Sequence, residues 1–348
     1  MKLLKTYTII AFAATMILNL TSCDKVGGDF ALDYEADPAL LPEVSFSASA
    51  TTIIEGESIT FTDTSTNDPS FWTWSLVGSE FGEYTEQSPT VIYTVPGEYD
   101  VKLKVRNEYG ASEVLLEDYI IVEGEPLPFV SIFRFDGNLE DTEGTNGITA
   151  VSSYGDVTYV ADRNGNASSA YLAPPFPPYS QDLTIPGYKG VSGDAARSVV
   201  AWFKTGAGTG RKAIVGWGTN SPGQMFNVML QGGQVRVEGG GCSLRTSRTD
   251  LMDDQWHHLA VTYDPADGPE VARVKVYIDG ALDENLPDAP GQSFNSERRE
   301  VNTDPDGIDV RIGRPAYRTD YMWVGELDDV AILDIALSPD QIGALAAE

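Results

Sequence analysis

Two adjacent histidines, His257 and His258, are the only histidines of the chain and its first candidates for acid–base or metal chemistry. They lie in an alternating run that is typical of a β-strand, in which neighbouring side chains point to opposite faces of the sheet. A zinc ion needs about four ligands around one point in space, and two side chains on opposite faces do not share one ion. We therefore expect a structural role for both histidines.

Carboxylate pairs are the groups that would hydrolyse a glycosidic bond, which needs two acids about 5 to 10 Å apart. Glu326 and Asp328 have the spacing to share one face of a strand, whereas Glu297 and Glu300 flank two arginines in a predicted loop. Glucanases with a sandwich fold carry their acids in a Glu-x-Asp-x-x-Glu run, and no third acid extends either pair into a similar run. The sequence therefore predicts a protein that is not an enzyme, with a glycoside hydrolase as the less favoured alternative.

Aromatic and arginine side chains gather in one segment near the end of the chain. Tyr317 and Tyr321 would supply rings for stacking on a sugar, and Arg314 and Arg318 would supply planar hydrogen-bond donors. We predict that these four residues bind a ligand. Residues 171–179 hold further aromatic rings in a proline-rich frame. For each segment, packing over a sheet is the alternative that stays open.

The beginning of the chain has the pattern of an export signal. Lys2 and Lys5 precede an apolar stretch that is shorter than the roughly 20 residues of a membrane-spanning helix. The stretch ends in Leu-Thr-Ser-Cys23, which resembles the bacterial lipobox, where a peptidase cleaves before a cysteine that carries a diacylglycerol. The resemblance implies a signal peptide over residues 1–22, lipid attachment at Cys23 and a membrane anchor. A plain secretory signal is the alternative.

The charge of the chain excludes one class of partner. Lysine and arginine number 23 against 52 acidic residues, a formal net charge of −29. Such a surface repels phosphate backbones, so nucleic-acid binding is not expected. The second of the two cysteines, Cys242, has no neighbouring histidine or cysteine for a metal site and is expected to be a small buried hydrophobe.

The elements that must position these residues are short strands. Acidic residues 23–42 lack periodicity and are predicted to form a flexible tether. From residue 43 onward, short alternating runs are separated by turn residues, which favours antiparallel sandwiches. The proline-containing segment 124–128 divides them into a module over residues 43–123 and a larger module over residues 129–348. The predicted fold class is all-β.

The first module has an ordered set of motifs. Trp72-Thr-Trp74 is followed by Tyr-Thr-Val-Pro-Gly97, by an alternating strand from Tyr99 to Val105 and by Asn-Glu-Tyr-Gly110. We expect Trp74 to plug the core between two sheets. This order resembles the PKD domain, an immunoglobulin-like sandwich found in extracellular bacterial proteins. The resemblance implies a spacer or a contact module without chemistry.

The second module carries three motifs in order, which are Gln-Trp-His-His-Leu-Ala-Val-Thr-Tyr-Asp264, Val-Tyr-Ile-Asp-Gly280 and Gly-Glu-Leu-Asp-Asp-Val-Ala-Ile332. They resemble the laminin-G-like, concanavalin A-like jelly roll. The resemblance implies a two-sheet sandwich that binds carbohydrates or proteins, with one structural Ca²⁺ in many members. By that analogy Asp136, Asp141 and Asp328 are the predicted calcium ligands, while shaping a turn is the alternative for the first two.

These observations together predict a non-catalytic, lipid-anchored binding protein of the bacterial outer membrane, exposed on the cell surface. The jelly roll would bind a polysaccharide, or a surface or host protein, and the PKD-like module would act as a spacer. Such lipoproteins resemble those of glycan-harvesting bacteria of the Bacteroidetes kind. An adhesion or structural module that contacts proteins and binds no sugar is the main alternative.

Overall fold

The computed structural model describes residues 38–175, 181–206, 210–283, 285–287 and 296–348. The predicted signal peptide, Cys23 and most of the predicted tether lie outside these residues. Contacts divide the chain into two compact units, with the boundary between Glu125 and Pro126. Each unit is described by itself.

The first unit contains two sheets. Its strands are Phe46–Ala48 (β1), Thr52–Ile54 (β2), Ser58–Asp63 (β3), Phe71–Leu76 (β4), Glu83–Tyr84 (β5), Thr90–Ile92 (β6), Gly97–Arg106 (β7) and Ala111–Glu123 (β8), after a 3₁₀ turn at Pro38–Leu40. One sheet has the order β1-β3-β6 and the other has the order β2-β8-β7-β4-β5. The β2–β8 pair is parallel, and the remaining pairs are antiparallel. The immunoglobulin-like sandwich is therefore confirmed.

Trp74 lies at the centre of the core of the first unit, as its position between alternating polar residues predicts. Its side chain is fully buried and its ring contacts Phe46 and Phe61, with centroids 5.2 and 5.6 Å away. Its indole nitrogen donates to the backbone oxygen of Glu86 at 3.0 Å, so the buried polar atom is satisfied. Trp72, two residues earlier on the same face of β4, is partly buried against this core, and its indole nitrogen donates to Asp63 at 2.8 Å.

The second unit contains sixteen of the described strands and one α-helix. The strands are Phe129–Phe133 (β9), Val151–Ser152 (β10), Thr158–Val160 (β11), Ala170–Ala173 (β12), Leu183–Thr184 (β13), Arg197–Lys204 (β14), Arg211–Gly218 (β15), Met225–Gln231 (β16), Gln234–Glu238 (β17), Ser243–Thr246 (β18), Trp256–Tyr263 (β19), Lys275–Ile278 (β20), Ala281–Leu282 (β21), Asn285–Pro287 (β22), Ile308–Ile312 (β23) and Gly325–Leu333 (β24). The helix α1 spans Pro339–Ala347, and 3₁₀ turns lie at Pro265–Asp267, Val271–Arg273 and Ser296–Arg298.

Two antiparallel sheets form the sandwich of the second unit. The helix-side sheet has the order β11-β12-β24-β14-β19-β20-β21, with β9 also paired to β24. The open-side sheet has the order β10-β13-β23-β15-β16-β17-β18-β22. One continuous core joins them, because apolar side chains such as Phe203 of β14 and Trp217 of β15 belong to the same buried cluster. Each such side chain contributes about 1.5–3 kcal/mol on burial.

Local signals set the ends of several elements. Asp279 and Gly280 have φ of 52° and 78°, which is the left-handed geometry of a two-residue hairpin, and they join β20 to β21. Ser338 caps α1 with a full capping box, in which its side chain accepts from the backbone of Gln341 and the side chain of Gln341 accepts in return. Cys242 is buried, as predicted.

Candidate functional site

The outer face of the open-side sheet carries a row of charged and amide side chains. Strand pairing aligns Arg211 with Gln231, and Gln231 with Gln234. The next row aligns Met229 with Arg236 and Arg236 with Arg245, while a third contains Arg311, Gly216, Asn227, Glu238 and Ser243. The alternate residues of the same strands, such as Leu230 and Val237, point into the core. We call Arg211, Arg236, Arg245 and Arg311 the arginine face.

We call the segment 314–321 the tyrosine loop. It lies on this face above Gly216, which has no side chain. A Cβ atom at Gly216 would be 2.9 Å from the Cα of Pro315, so only glycine admits the loop. The backbone nitrogen of Ala316 donates to Oδ1 of Asn227 at 2.9 Å, and that of Ala213 donates to the oxygen of Tyr321 at 2.9 Å. The loop is therefore held by the sheet at both ends.

Glu238 joins the loop to the arginine face. This carboxylate is 3% exposed and accepts from Arg211 at 2.7 Å, from Arg236 at 2.6 Å and from the hydroxyl of Tyr317 at 2.8 Å. A buried carboxylate is costly unless it is paired and hydrogen-bonded, and here both oxygens are engaged. Burial and the charge of Glu238 raise the pKa of Tyr317, which keeps its hydroxyl protonated as the donor.

Tyr321 is the partly exposed ring of the site. The guanidinium carbons of Arg211 and Arg318 lie 5.2 and 4.7 Å from its centroid, within cation–π range. The ring of Tyr317 meets it edge to face at 6.2 Å. Arg318 is in turn held by both oxygens of Asp320, at 2.6 and 2.7 Å.

The fourth predicted ligand-binding residue, Arg314, belongs to the same loop. Its Nε donates to the backbone oxygen of Arg318 at 3.3 Å, and its Nη1 lies 3.9 Å from Asp182. The structure thus brings Arg314, Tyr317, Arg318 and Tyr321 together, although their binding of a ligand stays a prediction. Sequence reasoning missed the strand residues below them, whose signal was the alternation of arginine and valine in Gln-Val-Arg-Val-Glu238.

The proline-rich segment 171–179 has a different setting. Tyr171 is fully buried, with its ring 5.6 Å from that of Phe135 and its hydroxyl donating to the backbone of Gln181 at 3.3 Å. It is a core residue, which is the packing alternative stated above. Residues 176–179 lie outside the described part of the chain.

The three predicted calcium ligands do not form one site. Within the described residues, no three His, Cys, Asp or Glu side chains come together so that they would hold a metal ion. Asp328 is paired with Arg163 at 2.9 Å, and Oδ1 of Asp141 accepts from the backbone nitrogens of Ile132 and Gly144 at 3.0 and 2.8 Å. The side chains of Asp136, Asp141 and Asp328 are therefore not grouped by themselves among the described residues, and their role as calcium ligands stays a prediction.

Calcium binding itself stays a prediction. Titration calorimetry of chelator-treated protein tests it, and a lack of heat together with an unchanged melting temperature would reject it. Burial and the neighbouring charge of Asp329 raise the pKa of the Asp328 carboxyl above the usual range, and Arg163 also contacts Asp329 at 2.9 Å.

The two histidines point to opposite faces of the helix-side sheet. His258 is aligned with Trp202, whose ring meets it edge to face at 5.2 Å, while His257 is aligned with Phe203. His257 lies between Asp279 at 3.1 Å and Asp253 at 3.2 Å, and its hydrogen bond with Asp279 raises its pKa. The imidazole rings of His257 and His258 are therefore not placed to bind one metal ion together.

His258 is fully buried and its two ring nitrogens have no hydrogen-bond partner among the described residues. Burial lowers its pKa to about 4, so it is neutral at pH 7. It is a packed core residue, and its partner Trp202 also lies 4.5 Å below the guanidinium of Arg163.

The two acids whose spacing suits a hydrolase, Glu326 and Asp328, are each paired with a basic side chain. Glu326 is paired with Lys204 at 3.3 Å, and Asp328 is paired with Arg163. Their strand lies in the helix-side sheet, away from the row of strands that forms the arginine face. Within the described residues, no helix is long and apolar enough to cross a membrane.

Comparison with known families divides the chain in the same way. Residues 41–122 match the family described as the PKD domain, and residues 178–343 match the family described as the concanavalin A-like lectin/glucanases superfamily. The chain carries a PKD domain followed by a concanavalin A-like domain. The all-β fold with these two sandwiches is therefore confirmed.

Solved structures similar to the chain include the binding domain of Paraclostridial Mosquitocidal Protein 1, with 15% identity and a TM-score of 0.45 over 63% of this chain and 51% of that chain. The receptor-binding domain of botulinum neurotoxin D has 16% identity and a TM-score of 0.43 over 63% and 52% of the two chains. This chain thus spans about half of theirs, and the likeness concerns the fold alone. No curated protein sequence matches the chain.

Proposed function

We propose that the protein is a non-catalytic binding protein whose concanavalin A-like domain binds carbohydrate on the arginine face and the tyrosine loop. The PKD domain acts as a spacer. The observation that carries the proposal is a polar outer sheet face, with a partly exposed tyrosine ring above it, in a domain whose other outer face is covered by a helix.

The chemistry of this face suits a sugar. A pyranose presents an apolar face of C–H groups and a rim of hydroxyls. The ring of Tyr321 can stack on the apolar face of the sugar. The amide of Gln231 and the guanidinium of Arg211 can form hydrogen bonds with its hydroxyls. These side chains are held by one another, with Arg211 donating to Gln231 at 3.2 Å, so little conformational entropy is lost on binding.

Catalysis is not part of the proposal, because the carboxylates have other partners. A glycosidase needs one carboxyl that donates a proton and another that attacks or activates water. Both oxygens of Glu238 are engaged by Arg211, Arg236 and Tyr317, and Glu326 is paired with Lys204.

A glycan array with the purified protein, followed by a product assay on each bound glycan, tests this function. We expect at least one glycan to bind and to stay intact. Tyr321→Ala should weaken binding about tenfold or more, since stacking and shape are both lost. Tyr84→Ala is the matched control, because Tyr84 is a partly buried tyrosine of the PKD domain, paired with Phe81 at 6.1 Å.

Three outcomes would contradict the proposal. A released sugar product would favour the hydrolase alternative. Absence of any glycan binding would favour the adhesion alternative, in which the domain contacts proteins. Equal binding by the Tyr321→Ala variant would move the site away from the tyrosine loop.

We further propose that the protein is exported and anchored at Cys23 to the outer membrane, exposed on the cell surface. The support is the positive start, the apolar stretch and the Leu-Thr-Ser-Cys23 motif. Metabolic labelling with a fatty acid should mark the wild type and leave Cys23→Ala unlabelled. Protease accessibility on intact cells tests surface exposure, and a labelled Cys23→Ala variant would contradict the anchor.

A further inference from the structure

The arginine face is a cationic region on a strongly acidic protein. The whole chain has a formal net charge of −29 and fourteen arginines among its 23 basic residues. Six of these arginines belong to the outer side of one sheet and to the loop above it: Arg211, Arg236, Arg245, Arg311, Arg314 and Arg318. Positive charge is therefore concentrated where the proposed ligand binds.

Carboxylates neutralise only part of this charge. Glu238 forms ion pairs with both Arg211 and Arg236. Asp182 forms an ion pair with Arg311 at 3.0 Å and lies 3.9 Å from Arg314.

The remaining charged groups of this region do not remove the excess. Asp320 is paired with Arg318. Asp309 lies on the same side of β23 as Arg311 and is paired with Lys189 at 2.9 Å. Arg245 donates to the neutral amide oxygen of Gln234 at 3.5 Å. Six guanidinium groups thus share three carboxylates.

One pair of arginines is arranged unfavourably for the protein alone. Arg236 of β17 and Arg245 of β18 are directly opposite each other in the strand register. Like charges directly opposite on neighbouring strands destabilise a sheet. An anion bound between them would turn this repulsion into two charge-assisted hydrogen bonds, which are the strong ones.

The region is open enough for such contacts. The side chains of Arg211, Arg311 and Arg314 are 27%, 26% and 29% exposed, and that of Arg236 is 13% exposed, so each is oriented by the protein and still reaches solvent. Guanidinium groups bind carboxylates and sulfates with two parallel hydrogen bonds, which lysine does not provide. At physiological salt the repulsion of the distant acidic surface is screened within about 8 Å.

We propose that the arginine face binds an anionic polysaccharide, one that carries uronate carboxylates or sulfate esters. This inference rests on the proposed function and names its class of ligand. The anionic groups would meet Arg236 and Arg245, while the sugar ring beside them would meet Tyr321 of the tyrosine loop.

Matched polymers provide the test. Polygalacturonate is compared with its fully methyl-esterified form, and a sulfated galactan without uronates is compared with its desulfated form, by calorimetry with the purified protein. We expect one charged polymer to bind at least about tenfold more tightly than its neutral counterpart, which is the range of a hydrogen bond to a charged group. Which of the two pairs differs identifies carboxylate or sulfate as the recognised group.

Variants of the opposed pair locate the effect. Replacing both Arg236 and Arg245 by glutamine should weaken binding of the charged polymer about tenfold or more. Arg273→Gln is the matched control, since Arg273 is 58% exposed, pairs with Glu270 and lies away from this face. The melting temperature of each variant is measured alongside, and salt dependence of the wild type gives a second readout that does not need a variant.

The outcomes separate this inference from the proposed function. Equal binding of neutral and charged polymers, or binding that 0.5 M salt leaves unchanged, would overturn the anionic ligand and leave carbohydrate binding in place. Absence of binding to every polysaccharide would overturn the proposed function itself. Equal losses in the control and in the double variant would place the anion elsewhere.

Discussion

The two outer faces of the concanavalin A-like sandwich have the same backbone geometry and opposite side chains. On the helix-side sheet, one row across the strands reads Ile132, Ala331, Val200, Ala260 and Tyr277, and every member is buried. A corresponding row on the open-side sheet reads Ala213, Met229, Arg236 and Arg245. Outward alternation alone does not decide what a face contacts, because small apolar residues favour packing against a helix and arginines keep a face charged.

The covering element explains the difference. The helix α1 places Ile342 and Leu345 into the apolar row beside Val200 and Ala260. The tyrosine loop instead covers its sheet through backbone and polar contacts, such as Ala316 to Asn227. The first cover stabilises the fold through apolar burial, and the second positions polar groups. Stability and binding should therefore separate between the two faces.

The largest effect on stability is expected on the helix side. Ile342→Ala removes a fully buried side chain from the α1 contact and should lower the free energy of unfolding by about 2–5 kcal/mol. Glycan binding at a temperature where the variant is folded should not change. Urea unfolding measures the first quantity, and a loss of binding by the folded variant would break the separation of the two faces.

A smaller loss is expected where the loop approaches the open-side sheet. Gly216→Val places atoms against Pro315 and Asn227, so the tyrosine loop must lift, at a cost of about 1–3 kcal/mol and with loss of binding. Gly343→Ala is the control in α1, where a Cβ meets nothing within 4 Å and where alanine should stabilise the helix by about 0.5–1 kcal/mol. A variant at Gly216 that binds normally would show that the loop does not position the ligand.

The buried histidine gives the helix side a pH dependence. Its folded pKa of about 4 is below the value of 6.5 in the unfolded chain, so the unfolded chain takes up the proton first and stability is lost as the pH falls. Relative to the wild type, His258→Phe should gain about 2 kcal/mol between pH 7 and pH 5. Urea unfolding at both pH values measures the change.

His257 provides the opposite sign on the same strand. Its raised pKa contributes stability that is present below about pH 6.5 and is lost as the pH rises. The His257→Gln variant should therefore lose stability relative to the wild type towards pH 5. If both variants shifted in the same direction, the environments assigned to the two histidines would be wrong.

The smallest effect is expected at the exposed ion pair of the tyrosine loop. Asp320→Asn releases Arg318 and removes a negative charge, which should raise the affinity for an anionic polysaccharide by a modest factor and leave the melting temperature unchanged. Asp267→Asn, which breaks the exposed pair with Lys275, is the matched control. A lower affinity of the Asp320→Asn variant would mean that the ion pair orients Arg318 for binding.

Much of the fold was predictable because its signals are local. The alternation in the two modules predicted strands, and the Asp279-Gly280 turn and the Ser338–Gln341 capping box are likewise set by neighbouring residues. The opposite orientation of His257 and His258 followed from the pleat of one strand. Each of these features depends on residues within a few positions of one another.

The candidate site was predictable only in part. The tyrosine loop was visible as a cluster of tyrosine and arginine, whereas Arg211, Arg236 and Glu238 below it come from two strands that meet through register. The ion pair between Asp328 and Arg163 was not predictable for the same reason, because the two residues are far apart in sequence. Contacts across many residues depend on loop closure and on sheet order, which a local pattern does not contain.

The sequence by itself determined the classes of element, the two modules and the excess of acid, since these follow from composition and from the period of the apolar residues. Only the tertiary structure decided which outward row is covered by α1, and that Glu238 and the four residues of the arginine face lie beneath the tyrosine loop. Strand alternation sends residues to one side of a sheet, but the packing of the whole chain decides what that side meets.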